Sequence, residues 1–208
     1  MYIYWMVYPS RMRSVRNLAL IAIFVSTIIA TNYGLAPFAN VKLEDVLVFV
    51  SAYLLGLRVG ITVAVLAETI WGIASPYGFG GPIIPFLVAG ELLYAVVGSI
   101  SSQIVRTEGR PISSQNVLLG GILAACALGF DIETNAATAF IVSGVRTTFN
   151  EVLDYEFVGI PFMIAHELSD FILGTLIAPP VIIYARKLLK IHDNRSRTFL
   201  TEGLGVTS

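Results

Sequence analysis

Residues 17–41, NLALIAIFVSTIIATNYGLAPFANV, form a run of 25 residues without a charged side chain. At about 1.5 Å per residue, a helix over this run can cross the roughly 30 Å of hydrocarbon in a lipid bilayer. Three arginines precede it, as in a signal peptide, but the run is longer than the apolar region of a signal peptide. We therefore expect it to contain the first membrane span and not a cleaved leader.

The composition of the whole chain also favours a membrane protein. Hydrophobic residues make up 56% of the chain, charged residues 13%, and the mean hydropathy is +0.79, whereas about a quarter of the residues of a soluble domain are charged. The net charge of -1 argues against a nucleic acid partner. The single Cys126 excludes an internal disulfide. We expect one integral membrane domain over residues 1–208.

The order of apolar segments predicts an all-α membrane protein with six transmembrane helices. We place the spans near residues 16–34, 43–57, 58–75, 83–105, 115–144 and 158–187. Eleven of the thirteen Lys and Arg residues then flank one side of the membrane, and only Lys42 and Arg146 lie on the other. Because basic residues accumulate on the cytoplasmic side, this predicts a multi-pass protein of the cell membrane with both termini in the cytoplasm.

Two segments are predicted to be unsuited to a continuous helix. The external loop at residues 75–85, SPYGFGGPIIP, has three glycines and three prolines. A second external loop is expected from Arg146 to Gly159. Residues 191–208 are polar without a periodic apolar face, which predicts a mobile cytoplasmic tail.

Ionisable side chains inside a bilayer are costly, so each one marks a candidate functional position. In the predicted topology they lie in the outer parts of the spans, which predicts a pocket that opens only outwards. Trp71 and Tyr77 would stack on a ring system, and the several acids indicate a ligand that is cationic or rich in hydrogen-bond donors. The predicted ligand contacts are Asn40, Glu68, Trp71, Tyr77, Glu91, Asn135, His166 and Asp170, with Arg146 as an external contact for an anionic group.

Helical spacing suggests partners for some of these side chains. Asp131, Thr134, Asn135 and Thr138 form one polar stripe, which must face protein or ligand. His166 and Asp170 are one turn apart, so the carboxylate would orient the imidazole. A structural hydrogen bond between helices is the alternative for His166. The ionisable residues lack a recognised metal-ligand spacing, so we predict no metal and no cofactor.

A ridge of small side chains lies along the first span. Ala22, Ser26 and Ala30 recur every four residues, a spacing that allows another helix to approach closely. The ridge is either internal packing or the docking surface for a partner subunit.

Three stretches resemble one family. These are NVKLEDVLVFVSAYLLGLRVGITVAVLAETIWG at 40–72, LGFDIETNAATAF at 128–140 and GIPFMIAHELSDFILGTLIAPPV at 159–181. They are similar to the substrate-binding S components of energy-coupling factor (ECF) vitamin transporters, whose members carry a helix hairpin with a glycine turn, a "YDLLTN" segment and a last helix with a Pro-Phe pair, a His and a final Pro. Together they cover about half of the chain.

The resemblance implies an S-component-like six-helix bundle that captures a vitamin or related micronutrient from outside. It implies docking on an ECF coupling transmembrane subunit that is driven by two ATPase subunits. The family docks through an Ala-x-x-x-Ala pattern on helix one, and the nearest match here is Ala22-x-x-x-Ser26 with Ala30. It also implies that the first external loop and the outer ends of helices four to six contact the ligand.

Two other classes of function remain open. One is a stand-alone ion-coupled secondary transporter with ions at Glu68, Asp131 or Asp170, although no inverted repeat is evident. The other is an intramembrane hydrolase using His166 with Asp170, which lacks an evident nucleophile. The chain has no nucleotide-binding or hydrolase motif. We therefore expect a protein that is not an enzyme and takes energy from an ion gradient or another protein.

Overall fold

The structure is a computed structural model that describes residues 14–38, 40–110 and 112–189. Within these residues it contains helices and no strands. The seven α-helices, in chain order, are α1 (Ser14–Leu35), α2 (Glu44–Leu55), α3 (Leu57–Ala74), α4 (Ile84–Ile104), α5 (Ser114–Ser143), α6 (Phe149–Leu176) and α7 (Ala178–Leu189). Short 3₁₀ turns at Gly81–Ile83 and Gly144–Arg146 precede α4 and α6.

Five of these helices, α1 and α3 to α6, are long and apolar enough to cross a membrane. Their outward surfaces carry large exposed apolar side chains, including Leu18, Ile104, Phe140 and Leu168. A water-soluble protein rarely exposes so much contiguous apolar surface, whereas a lipid-facing bundle does. The prediction of an all-α, multi-pass membrane protein is confirmed, whereas the count of six spans and the side of the termini stay predictions.

The predicted span at 43–57 corresponds to α2, which is too short to cross a bilayer. It has 12 residues and is about 18 Å long. Residues 44–53 are all buried, as expected of a helix with apolar side chains on every side. Gly56, at φ 90°, turns the chain directly into α3, so the predicted helix hairpin is confirmed.

The predicted external loop from Arg146 to Gly159 is wrong, and the helix of the predicted span at 158–187 begins earlier and is interrupted at Ile177. α6 begins at Phe149 because Thr148 and Glu151 form a capping box: the Glu151 amide donates to Thr148 Oγ1 at 3.3 Å, and the Thr148 amide donates to Glu151 Oε2 at 2.7 Å. The helix ends at Leu176 because Pro179 and Pro180 have no amide proton to continue its hydrogen bonding. A separate helix, α7, follows.

The other four predicted spans agree with α1, α3, α4 and α5 to within two residues at each end. The predicted loop at 75–85 is also confirmed up to the 3₁₀ turn at Gly81–Ile83. The predicted tail at 191–208 lies outside the described residues.

Hydrogen bonds show which helix ends lie together. Arg16 at the start of α1 donates to the Leu189 carbonyl at the end of α7, at 2.8 Å. The Tyr53 hydroxyl donates to the Val105 carbonyl at 2.7 Å and so joins the ends of α2 and α4. This end of the bundle, which we call the basic face, carries six of the eight Lys and Arg residues in the described part of the chain: Arg16, Arg58, Arg106, Arg110, Arg186 and Lys187.

The contact between α5 and α6 generates a testable prediction. A Cβ at Gly120 would lie 2.1 Å from Thr175 Oγ1 and 2.5 Å from the Phe171 carbonyl oxygen, whereas a Cβ at Gly121 would meet nothing within 4 Å. Gly120→Ala should therefore destabilise the protein by about 1–3 kcal/mol. Gly121→Ala, the matched control, should be neutral or stabilising because alanine favours helix.

Thermal unfolding of the purified variants in detergent measures this difference. Equal unfolding midpoints for Gly120→Ala and Gly121→Ala would contradict the close approach of α5 and α6.

Candidate functional site

A cavity of about 380 Å³ lies at the end of the bundle opposite the basic face. It is formed by the end of α1, the segment leading into α2, the end of α3 and the loop after α3. Its volume is within the range of small-molecule sites. We call it the outer cavity, and its lining residues are Asn32, Leu35, Ala36, Pro37, Phe38, Asn40, Val41, Lys42, Trp71 and Tyr77.

One wall of the outer cavity is aromatic. Trp71 is only 6% exposed and makes edge-to-face contacts with Tyr33, at 5.4 Å between ring centroids, and with Tyr77, at 6.1 Å. The Tyr33 hydroxyl donates to the Ala74 carbonyl, and the Tyr77 hydroxyl donates to the Ala36 carbonyl. These bonds hold the rings in place between α1 and α3. The structure thus places two predicted ligand contacts, Trp71 and Tyr77, at the cavity.

The segment that closes the cavity is tied to α6 through Asn40. The Asn40 side-chain amide donates to the Phe162 carbonyl at 3.2 Å, and the main-chain carbonyl of Asn40 accepts from Ser169 Oγ at 3.3 Å. Asn40 adopts φ 55°, a left-handed conformation that asparagine tolerates better than most residues. The predicted site residue Asn40 is therefore a cavity-lining residue in a fixed turn.

Three glutamates lie together beneath the outer cavity. Carboxylate oxygens of Glu44, Glu68 and Glu91 are all within 4.8 Å of one another, and the three side chains are fully buried. Asn32 joins this group to the cavity, because it lines the cavity and donates to Glu44 Oε2 at 2.5 Å. The predicted contacts Glu68 and Glu91 therefore sit below the cavity floor.

His166 connects three helices beside the glutamates. Its Nδ1 lies 3.0 Å from Asp131 Oδ1 on α5, and its Nε2 lies 3.5 Å from Asp45 Oδ2 on α2. Asp170 accepts a hydrogen bond from the Tyr94 hydroxyl at 2.8 Å. The interhelical alternative for His166 is thus the observed arrangement, and the hydrogen-bond partner of Asp170 is on α4.

Together these groups form one level of the bundle. In the part of the chain that the structure describes, every buried carboxylate and imidazole belongs to it. Glu68 is eleven residues from the start of α3 and Glu91 thirteen from the end of α4, so the level lies about 16–20 Å from the basic face. We call it the polar layer, and its members are Glu44, Asp45, Glu68, Glu91, Asp131, His166 and Asp170.

The space between the polar layer and the basic face is mostly apolar. Phe49, Leu119, Leu123 and Ile182 are buried there at 0% exposure. Glycine also allows close contact of backbones, since a Cβ at Gly98 would lie 2.4 Å from the Phe49 carbonyl oxygen. A second cavity, of about 300 Å³, lies at the basic face and is lined by residues of α5 to α7 and of the loop before α5. Among the described residues, the buried carboxylates and the imidazole do not continue from the polar layer to this second cavity.

Lys42 lies in the segment before α2 and contributes a positive charge beside the polar layer. Its Nζ is 5.6 Å from the centroid of the Phe130 ring. The carboxylates of Glu68, Glu44, Asp45 and Glu91 are near enough to act on its ammonium group. One ammonium group thus faces the six acidic side chains of the polar layer.

Asn135 and Arg146 were predicted as ligand contacts, but neither lines the outer cavity. Asn135 donates to Glu156 Oε2 at 3.2 Å and contacts Gly159, because α6 begins early and its first turns cover the outer end of α5. Arg146 is exposed in a 3₁₀ turn. Thr134 and Thr138 donate to carbonyls of their own helix, so the predicted stripe is a helix–helix surface.

The sequence interpretation missed Asn32, Lys42, Glu44 and Asp45. A signal for two of them was present. Residues 46–50 and 52–55 are all apolar, and a helix that is apolar all round lies inside the bundle. Its first turn, with Glu44 and Asp45, must then be interior as well.

No protein-family model, curated protein or solved structure matches the chain. The chemistry of the site therefore has to be inferred from its geometry. An aromatic wall, a fixed asparagine turn and a floor connected to buried carboxylates are suited to enclosing a small ring-containing molecule with several hydrogen-bond donors.

Proposed function

We propose that the protein is the substrate-capture subunit of an ATP-driven ECF-type importer and binds a vitamin or related micronutrient in the outer cavity. The observation that carries this proposal is the one-sided architecture. The outer cavity adjoins the polar layer opposite the basic face, whereas buried apolar side chains such as Leu119 and Leu123 separate that layer from a second cavity of about 300 Å³ at the basic face. A protein of this kind can bind a ligand from one side but needs a partner to release it on the other.

The resemblance to S components supports the same proposal. The three stretches that carry it contribute Asn40 and Trp71 to the cavity and Asp131 and His166 to the polar layer. Side chains that are far apart in the sequence thus meet at one site.

The proposed topology has six passes, with both termini in the cytoplasm of a cell-membrane protein. α2 and the segment before it would together make the second pass, inside the bundle. The basic face would be cytoplasmic by the positive-inside rule, and the start of α1 and the end of α7 meet there.

The small-residue ridge is available to a partner. Ala22, Ser26 and Ala30 are all exposed on α1, whereas Ile21 and Ile28 are buried on its other side. Packing against the other described residues therefore does not explain the ridge. We propose that it docks on the ECF coupling transmembrane subunit, which works with two ATPase subunits.

One observation favours the second candidate, a stand-alone ion-coupled transporter. The polar layer, with Glu68, Asp131 and Asp170, lies near the middle of the bilayer, where such transporters bind ions. Proteoliposomes containing only this chain distinguish the two. Uptake of the copurifying ligand driven by a proton or sodium gradient would establish the second candidate, whereas binding without uptake supports the capture subunit. The hydrolase hypothesis gains no support, because both His166 nitrogens face carboxylates.

Loss of the aromatic wall should weaken ligand binding. Trp71→Ala removes the ring that contacts both Tyr33 and Tyr77, and truncating such an anchor typically costs about 2 kcal/mol or more, a loss of affinity greater than about tenfold. The ligand would first be identified by mass spectrometry of small molecules that copurify with the protein, and then titrated. Phe157→Ala removes an exposed ring away from the cavity lining and should leave the affinity unchanged. Equal affinities for both variants would refute the proposed binding site.

Bulky substitutions on the ridge should separate binding from transport. Ala22→Leu and Ser26→Leu should abolish uptake by the complete importer, because they prevent close approach of a partner helix, and should leave ligand affinity intact. Ala125→Leu places the same bulk at an exposed alanine on α5 and should have no effect. If uptake by the ridge variants matched that of Ala125→Leu, the ridge would not be the docking surface.

A further inference from the structure

Glu44, Glu68 and Glu91 form a group whose charge is not accounted for within the described part of the chain. The three side chains are fully buried, and no N–H or hydroxyl group of the described residues donates to Glu68 or to Glu91, whose polar neighbours are other carboxyl groups. Buried carboxylates this close together repel one another and lose their hydration. The group therefore requires bound protons or a bound cation.

Neighbouring positive charges meet only part of this requirement. The amino end of α2 favours a negative charge at Glu44, in its first turn. Glu68 and Glu91 lie in the interiors of α3 and α4, so helix termini do not stabilise them. The ammonium of Lys42 supplies one positive charge to the neighbourhood of three carboxylates.

A neutral oxygen beside the glutamates is also without a partner. Asn32 is 2% exposed, its amide nitrogen donates to Glu44 Oε2, and its carbonyl oxygen Oδ1 accepts no hydrogen bond. A buried amide oxygen seldom remains unpaired. This places a fourth oxygen donor next to the three carboxylates, at the position where the group adjoins the outer cavity.

The donor set indicates the kind of cation. All four donors are oxygens, which hard cations prefer. One oxygen from each carboxylate lies within 4.8 Å of the other two, so a single ion can contact all three. Mg²⁺ usually keeps several waters and binds only one or two carboxylates, so four buried protein oxygens favour Ca²⁺ or Na⁺.

The other acidic group of the polar layer has partners of its own. His166 Nδ1 contacts Asp131, His166 Nε2 faces Asp45, and Asp170 accepts from Tyr94. This group thus contains an imidazole and a hydroxyl as partners for its carboxylates, whereas no such group reaches Glu68 or Glu91.

We propose that Glu44, Glu68, Glu91 and Asn32 form a binding site for a hard cation of the size of Ca²⁺ or Na⁺, reached through the outer cavity. The site depends on the geometry of α1 to α4 and is independent of the proposed role in vitamin capture.

The test is thermal unfolding of the purified full-length protein in detergent, with choline chloride, NaCl, CaCl₂ or MgCl₂ at constant ionic strength and pH. CaCl₂ or NaCl should raise the unfolding midpoint by about 5 °C at saturation, and MgCl₂ should raise it less. The salt that gives the shift distinguishes Ca²⁺ from Na⁺. Equal midpoints in all four salts would overturn the proposal in favour of bound protons.

Isosteric variants assign the effect to the site. Glu68→Gln and Glu91→Gln should abolish the cation-dependent shift, whereas Glu167→Gln changes a carboxylate on α6 outside the group and should retain it. Radioactive ⁴⁵Ca²⁺ or ²²Na⁺ binding measured on the same samples should show the same loss. Retention of the shift in both Glu68→Gln and Glu91→Gln would place the cation elsewhere and overturn the assignment.

Discussion

The cost of holding carboxylates inside a lipid bilayer constrains the whole structure. Seven acidic and imidazole side chains come from five helices, α2 to α6, and all turn inwards to one level. A helix that carried such a group towards lipid would leave it without water or a partner. The polar layer therefore fixes the rotation of each helix about its axis. It also explains why α2, with acids in its first turn, lies at the centre of the bundle.

The remaining features of the site follow from this layer. Towards the basic face, the same helices present glycines and apolar side chains and come into close contact. Towards the other face they separate, and the outer cavity occupies the space between α1 and α3. Asn32 and Lys42 line the cavity and also contact or adjoin the carboxylates beneath it. A molecule bound in the cavity would therefore interact electrostatically with these carboxylates. The proposed binding from one side rests on this arrangement.

Sequence patterns predicted four long spans closely because each is a continuous apolar run with charged or glycine-rich ends. They located the start of α6 wrongly, although the capping-box residues Thr148 and Glu151 were visible in the sequence. Cross-helix pairs such as Asp131 with His166 could not be predicted, because they depend on helix rotation and register. Asn135 was assigned to the site for the same reason, and it faces α6 instead.

Sided labelling of single cysteines tests the central claim, a cavity that opens opposite the basic face, most directly. In a Cys126→Ala background, Tyr77→Cys is at the rim of the outer cavity and Gly109→Cys is in an exposed loop at the basic face. A membrane-impermeant maleimide should label Tyr77→Cys in intact cells, and bound ligand should slow the reaction. Gly109→Cys should react only after permeabilisation. Labelling of Gly109→Cys in intact cells, or of Tyr77→Cys only from the cytoplasm, would contradict the account.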